Sequence, residues 1–169
     1  MRAEVLHAKN DLTSVGGSVE CAIVGLPAGL GSPDEPVEGI LSQAMFRVPA
    51  VKGIAFGLGF DFAESYGHEV NAPKRVVDGK VVTTSNYNGG ILGGITNGMP
   101  ILFKVAVKPT PTIAREQESV DLSSMTDCTV TVGGRHDPCI LPRAAVVIEA
   151  AAALSALQLL QEYRPTLAF

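Results

Sequence analysis

The chain has 169 residues, 46% hydrophobic and 18% charged, so it holds enough apolar side chain for a genuine core and is not a disordered segment. Its net charge of −4 argues against binding to a phosphate backbone, and no nucleic-acid partner is expected. The three cysteines, Cys21, Cys128 and Cys139, are odd in number and lack CxxC spacing, which excludes a disulfide framework and a cysteine-pair metal site and fits a cytoplasmic chain.

The N-terminal MRAEVLHAKNDLTSVGG lacks the apolar core of a signal peptide, and no run is expected to supply the roughly 20 apolar residues of a membrane span. Length predicts one domain, or at most two small ones, and a single domain over 1–169 is the reading adopted. Residues 15–27 (VGGSVECAIVGLP) alternate small, β-branched and polar side chains and read as a strand, which LPAGLGSPDEP closes with prolines and glycines. After Asp34, the residues Ile40, Leu41, Ala44, Met45 and Val48 recur at spacings of three and four, which predicts an amphipathic helix. Residues 51–57 (VKGIAFG) then give a short strand, so a βα-type unit opens the chain.

Loops dominate 59–98. Asp78-Gly79 between short β-prone runs predicts a hairpin, and Asn97-Gly98 between ILGGIT and MPILFKVAVKP predicts a second. In the strand that follows, Ile101, Phe103, Val105 and Val107 share one face; Lys108 ends it where Pro109 stops the ladder. REQESVDLSS is a charged, surface-like segment, and the β-rich run 128–132 ends in GGRHDP. Pro142 suits the first turn of a last helix that runs to about Tyr163, before Arg164-Pro165, with Glu149, Ser155 and Gln158 giving it a polar side.

Neither a nucleotide phosphate loop, nor a GxGxxG fingerprint, nor HExxH, nor GxSxG is present. Two clusters remain. Gly89, Gly90, Gly93 and Gly94 open the backbone to a planar or phosphorylated ligand, with Lys108 as a mobile cation; alternatively they serve tight turns and close strand packing. Thr110 and Thr112, held between prolines, either donate hydroxyls to an anion or cover an edge. Arg135, His136 and Asp137 place a cation, a proton carrier and a carboxylate in consecutive positions, or else form a capped loop in which Asp137 binds backbone N–H groups and Arg135 is solvated. Cys139 reads as a small buried hydrophobe, Arg115, Glu116 and Glu118 as a solvated face, and His7 and His68 as surface residues without partners at metal spacing.

The segment NGGILGGITNGMPILFKVAVKPTPTI (88–113) resembles the long signature of chorismate synthase, and GGRHDPC followed by PRA resembles a second signature of that family. SVGG at 14–17, GLPAGLG at 25–31 and PAVKGIAFGLGF at 49–60 match in order, so the resemblance runs over nearly the whole chain. It implies an α+β fold, a sandwich of helices between antiparallel sheets, of which this chain carries the C-terminal half. It also implies a homotetramer and a lyase activity: the reduced-FMN-dependent 1,4-elimination of phosphate from 5-enolpyruvylshikimate 3-phosphate, giving chorismate.

Carried over by motif, FMN contacts fall on Pro49, Ala50, Gly93, Lys108, Pro109, Thr110, Pro111, Thr112 and Arg135. Asp137 matches the aspartate held to act with the flavin in removing the substrate proton, and Arg135 and His136 lie near substrate. At Pro49 the family more often has a polar residue. The family's N-terminal half bears its SRGPGH-like and GGRxSxRET-like motifs, its proton-transferring histidines and most arginines that grip the substrate phosphate. None of these segments is in this sequence, so the chain acts either with that missing half or as a noncatalytic flavin-binding or assembly-forming remnant.

Overall fold

The computed structural model describes residues 1–162; the expected helix end at Tyr163 and the Arg164-Pro165 stop lie outside them. The elements run α1 (Arg2–Asn10), β1 (Gly17–Ile23), α2 (Val37–Phe46), β2 (Val51–Phe56), a 3₁₀ turn (Gly59–Glu64), α3 (Gly67–Val70), β3 (Lys74–Val77), β4 (Lys80–Thr83), β5 (Ile91–Leu92), β6 (Ile95–Thr96), β7 (Ile101–Val107), β8 (Gln117–Asp121), β9 (Thr126–Val130) and α4 (Leu141–Glu162). The class is α+β. Its framework is a three-stranded antiparallel sheet in the order β1-β7-β2, so the late strand β7 separates the two early ones.

The alternation seen in the sequence of β7 is the reason it sits in the centre. Ile101, Phe103, Val105 and Val107 are buried while Leu102, Lys104 and Ala106 are exposed, so one face seals a core and the other meets water. Helices α2 and α4 cover the apolar face. Val37, Leu41 and Met45, four apart on α2, join Ile148, Ala152 and Leu159 of α4 over the strand residues. On the open face Lys104 and its cross-strand partner Glu20 form a 3.0 Å ion pair, exposed and hence worth at most about 1 kcal/mol. Among the described residues the other three sheets are two-stranded hairpins, and no second sheet packs on the far side of α2 and α4.

Several local expectations hold and others are corrected. The Asp78-Gly79 hairpin forms, with positive φ at both residues (51° and 74°) as a type I′ turn demands. Asn97-Gly98 is not a hairpin turn: Gly93-Gly94 makes the turn between β5 and β6, and the Asn97 side chain instead accepts from the Met99 N–H at 2.9 Å. The segment read as merely charged surface contributes β8, because its pairing with β9 satisfies both backbones although nearly every side chain there is exposed. The N-terminal residues form α1. Last, α4 is long and apolar enough by length and composition to cross a membrane, contrary to the sequence expectation, although one side of it is seated on the sheet.

Candidate functional site

The two ends of β7 divide the residues in question. Gly17 and Val51 both pair with Val107, so the chain entering β1, the chain entering β2 and the chain leaving β7 converge at one end of the sheet. Pro49 and Ala50 lie there with Lys108, Pro109, Thr110, Pro111 and Thr112. The Lys108 N–H donates to the Ala50 carbonyl at 2.8 Å, and the Ser14 hydroxyl donates to the Thr110 carbonyl at 2.6 Å. One residue on, the Val15 N–H donates to the Pro138 carbonyl at 2.9 Å, fastening the loop 133–138 to the same edge. Ser14 and Val15 thus tie the two signature loops together, a role that the SVGG match located without explaining.

Within this end, Lys108, Pro109, Pro111 and Thr112 are exposed, whereas the Thr110 hydroxyl is buried without a hydrogen-bond partner. Ala50 stands at φ 70°, in the left-handed region that an L residue enters at a cost of about 1–2 kcal/mol. Ala50→Gly is therefore expected to leave stability unchanged or raise it by up to about 1 kcal/mol in urea unfolding, while Ala50→Val, β-branched, lowers it by more than about 1 kcal/mol. Loss of stability in the glycine variant counts against the strain.

The loop 133–138 combines both of its sequence interpretations. Arg135 is exposed, and His136 Nε2 donates to the Val132 carbonyl at 2.8 Å, which fixes the ring. Asp137 is half-buried and held from two directions: its Oδ1 accepts from the Cys139 N–H at 3.1 Å, and its Oδ2 pairs with the Arg143 guanidinium. Arg135, His136, Asp137, Pro138 and Arg143 line an open pocket of about 500 Å³ beside the start of α4. Arg143 is the residue that the sequence left unassigned; the Pro142 helix-start signal places it within the first turn, within reach of the preceding loop. Cys139 is buried, as expected.

Gly93 is the exception. The Val37 N–H donates to the Gly94 carbonyl at 3.0 Å, so the β5–β6 turn sits against the start of α2, whereas the other end of α2 leads back to Val51 beside Val107. The 10 residues of α2, about 15 Å of helix, separate Gly93 from Ala50, so Lys108 does not serve the glycine cluster. A Cβ on Gly93 would meet nothing within 4 Å, which leaves this position open, while Gly89 and Gly90 are packed on the backbone of Gly57 and of Met99-Pro100. Within this chain, then, Gly93 and its neighbour Gly94 lie apart from Lys108, Arg135 and Asp137.

His7 and His68 are surface residues, and no group of metal-binding side chains occurs among the described residues. The titrations moved by the fold lie elsewhere: the Ser123 hydroxyl and amide hold the Asp121 carboxyl below its usual range at the β8–β9 turn, and burial, then Glu149, pushes the Cys21 thiol up.

The sequence model of the family described as chorismate synthase matches residues 1–160. The chain belongs to the chorismate synthase family. It is 51% identical over 150 residues to chorismate synthase of Pyrococcus abyssi, covering 88% of this chain and 42% of that one. Chorismate synthase of Korarchaeum cryptofilum is 49% identical over 150 residues, again with 42% of that protein covered. A crystal structure of chorismate synthase superposes with a TM-score of 0.77 at 33% identity over 95% of this chain and 41% of the other. The chain therefore spans less than half the length of these relatives, and the match is to their C-terminal part.

Proposed function

We propose that this chain is a single domain corresponding to the C-terminal half of chorismate synthase, and that it supplies the base and part of the flavin site for the 1,4-elimination of phosphate from 5-enolpyruvylshikimate 3-phosphate. The observation that carries this is the convergence of Lys108, Thr110, Arg135 and Asp137 on one end of the sheet, fastened by Ser14 and Val15. The reaction removes a proton from carbon and expels phosphate from the same ring, so it is a carbon–oxygen lyase step. It requires a proton acceptor, cations for the leaving group and an electron-rich partner.

These residues fit a reduced FMN: the Thr110 hydroxyl is buried and, among the described residues, unpartnered, Thr112 is exposed two residues on, and Lys108 and Arg135 provide positive charge without side-chain ion-pair partners among the described residues. When bound, the flavin supplies electron density with no net redox change. Lys108, Thr110, Thr112 and Arg135 would hold it, with Pro49, Ala50, Pro109 and Pro111 shaping the backbone around them, and Gly93 would contribute only across a boundary with another chain. Asp137 accepts the proton, its carboxylate oriented by Arg143 and by the Cys139 N–H. Arg135 and His136 face the substrate. The cytoplasmic location and the homotetramer implied by the family belong to the same proposal.

Anaerobic titration of FMN into the wild type, Lys108→Ala and Arg135→Ala tests the placement. Each substitution is expected to weaken binding of reduced flavin about tenfold or more, the value of a charge-assisted hydrogen bond. Measurable binding of equal strength in all three proteins overturns it.

A further inference from the structure

Four consecutive residues, Ser14 to Gly17, touch the two loops of the candidate site in turn. The Ser14 hydroxyl donates to the Thr110 carbonyl at 2.6 Å, and the Val15 N–H donates at 2.9 Å to the carbonyl of Pro138, the residue after Asp137. At Gly16 a Cβ would stand 2.5 Å from the Val107 carbonyl oxygen and 2.9 Å from the Pro109 nitrogen, so only glycine lets the chain lie directly on the root of the KPTPT loop. At Gly17 a Cβ would stand 2.6 Å from Leu141 Cδ1, where α4 begins. Neither glycine stands at positive φ, so close approach rather than turn geometry explains both. The Leu12 carbonyl accepts from the Arg115 N–H at 3.1 Å, and the same short stretch thus also holds the chain that leaves the loop.

We propose that Ser14 is a positioning residue and that 14–17 is a joint holding the flavin loop 108–112 at one fixed separation from Asp137, an inference that rests on the flavin placement proposed above. Ser14 acts through the backbone. Adjacent Cα atoms lie about 3.8 Å apart across a trans peptide, so anchors on Ser14 and Val15 leave the two loops little freedom to slide past each other. The Thr110 carbonyl that Ser14 holds belongs to the residue whose own hydroxyl is buried and, among the described residues, unpartnered; the bond fixes the backbone that aims that hydroxyl. Pro109 and Pro111 restrict φ on both sides of Thr110, and the Lys108 N–H is tied to the Ala50 carbonyl at 2.8 Å, so the loop moves as a unit and a lost anchor is felt along it. A proton acceptor and an electron-rich cofactor must meet one substrate in a single geometry, and a misplacement of about 1 Å there can cost about a hundredfold in rate.

Hydrogen exchange of the whole chain without flavin, read amide by amide, tests the joint in Ser14→Ala and Gly16→Ala. Ser65→Ala is the control: that hydroxyl also donates to a backbone carbonyl, of Asp61 at 2.8 Å, but beside the 3₁₀ turn. In Ser14→Ala the N–H groups of Val15, Lys108 and Cys139 are expected to exchange about fivefold faster or more, the effect of one lost hydrogen bond, while those of residues 103–105 at the centre of β7 keep wild-type rates. Ser14→Thr, which keeps the hydroxyl, is expected to restore them. In anaerobic titration reduced FMN is expected to bind Ser14→Ala and Gly16→Ala about threefold or more weakly than it binds the wild type and Ser65→Ala. Should Gly16→Ala unfold, its clash being with backbone, Ser14→Ala alone decides. Wild-type exchange at all three amides in Ser14→Ala overturns the joint, as does faster exchange throughout β7, which would make Ser14 a general contributor to stability. Undiminished flavin affinity in Ser14→Ala, where Lys108→Ala binds more weakly, overturns the positioning role. Equal affinity in the wild type and Lys108→Ala marks the failure of the flavin site instead, and the flavin-free exchange rates then decide the joint.

Discussion

Asp137→Asn is expected to lower chorismate formation by about 10²–10⁴-fold when the C-terminal chain is assayed, anaerobically and with reduced FMN, together with the N-terminal portion of a relative. Asparagine keeps an oxygen for the Cys139 N–H, so the start of α4 stays held, but it cannot take a proton and it weakens the pairing with Arg143. The chain alone is expected to give no turnover, because the family's proton-donating histidines and most of its phosphate-binding arginines belong to the segments absent here. Flavin affinity should change little. Turnover by Asp137→Asn within tenfold of the wild type would remove Asp137 from the proton step, whereas loss of flavin binding in the same variant would reassign it to the cofactor.

Gly57→Ala is expected to destabilise the fold by at least about 3 kcal/mol, a large share of the 5–15 kcal/mol that holds a typical domain together. Gly57 ends the β2 passage at φ 54°, where the turn 87–90 crosses it. A Cβ there would stand 1.9 Å from the Tyr87 carbonyl oxygen and 2.6 Å from the Gly89 nitrogen. Both are backbone atoms, so no side-chain rotation relieves the clash. The crossing is fixed from both sides: the Gly57 N–H donates to the Leu102 carbonyl at 3.0 Å and the Leu58 N–H to the Tyr87 carbonyl at 2.8 Å. Gly67, in α3 with nothing within 4 Å of its Cβ, is the control, and Gly67→Ala should be neutral or slightly stabilising. A midpoint of urea unfolding for Gly57→Ala close to that of the wild type would show that the crossing can open at little cost.

The local elements with strong periodicity were legible in the sequence because their signals depend on neighbours a few positions away. Two-residue alternation from Ile101 to Val107 makes β7 a strand with one buried face, the three- and four-residue spacing of Ile40, Leu41, Ala44, Met45 and Val48 marks the helix α2, whose buried stripe is Val37, Leu41 and Met45, and Asp78-Gly79 supplies the positive φ values of a tight hairpin. Motif order identified the family for the same reason: it is written along the chain. Which residues share a site is not. Ser14 reaches Thr110 across 96 positions only because β1 pairs antiparallel with β7, whereas the β5–β6 turn that holds Gly93 sits against the start of α2, away from the end of β7 that holds Lys108, although the two are close in sequence. The Asn97-Gly98 dipeptide is a sound turn signal overridden by the neighbouring Gly93-Gly94, whose turn lets Gly94 accept from α2. Likewise, Glu149, Ser155 and Gln158 read as a polar side of α4, but only Glu149 and Gln158 meet solvent; Ser155 is buried, its hydroxyl donating to the Ala151 carbonyl at 2.9 Å, while Val146, Leu154 and Leu157 are exposed. That division depends on where the strands lie, and so only the tertiary structure decides it.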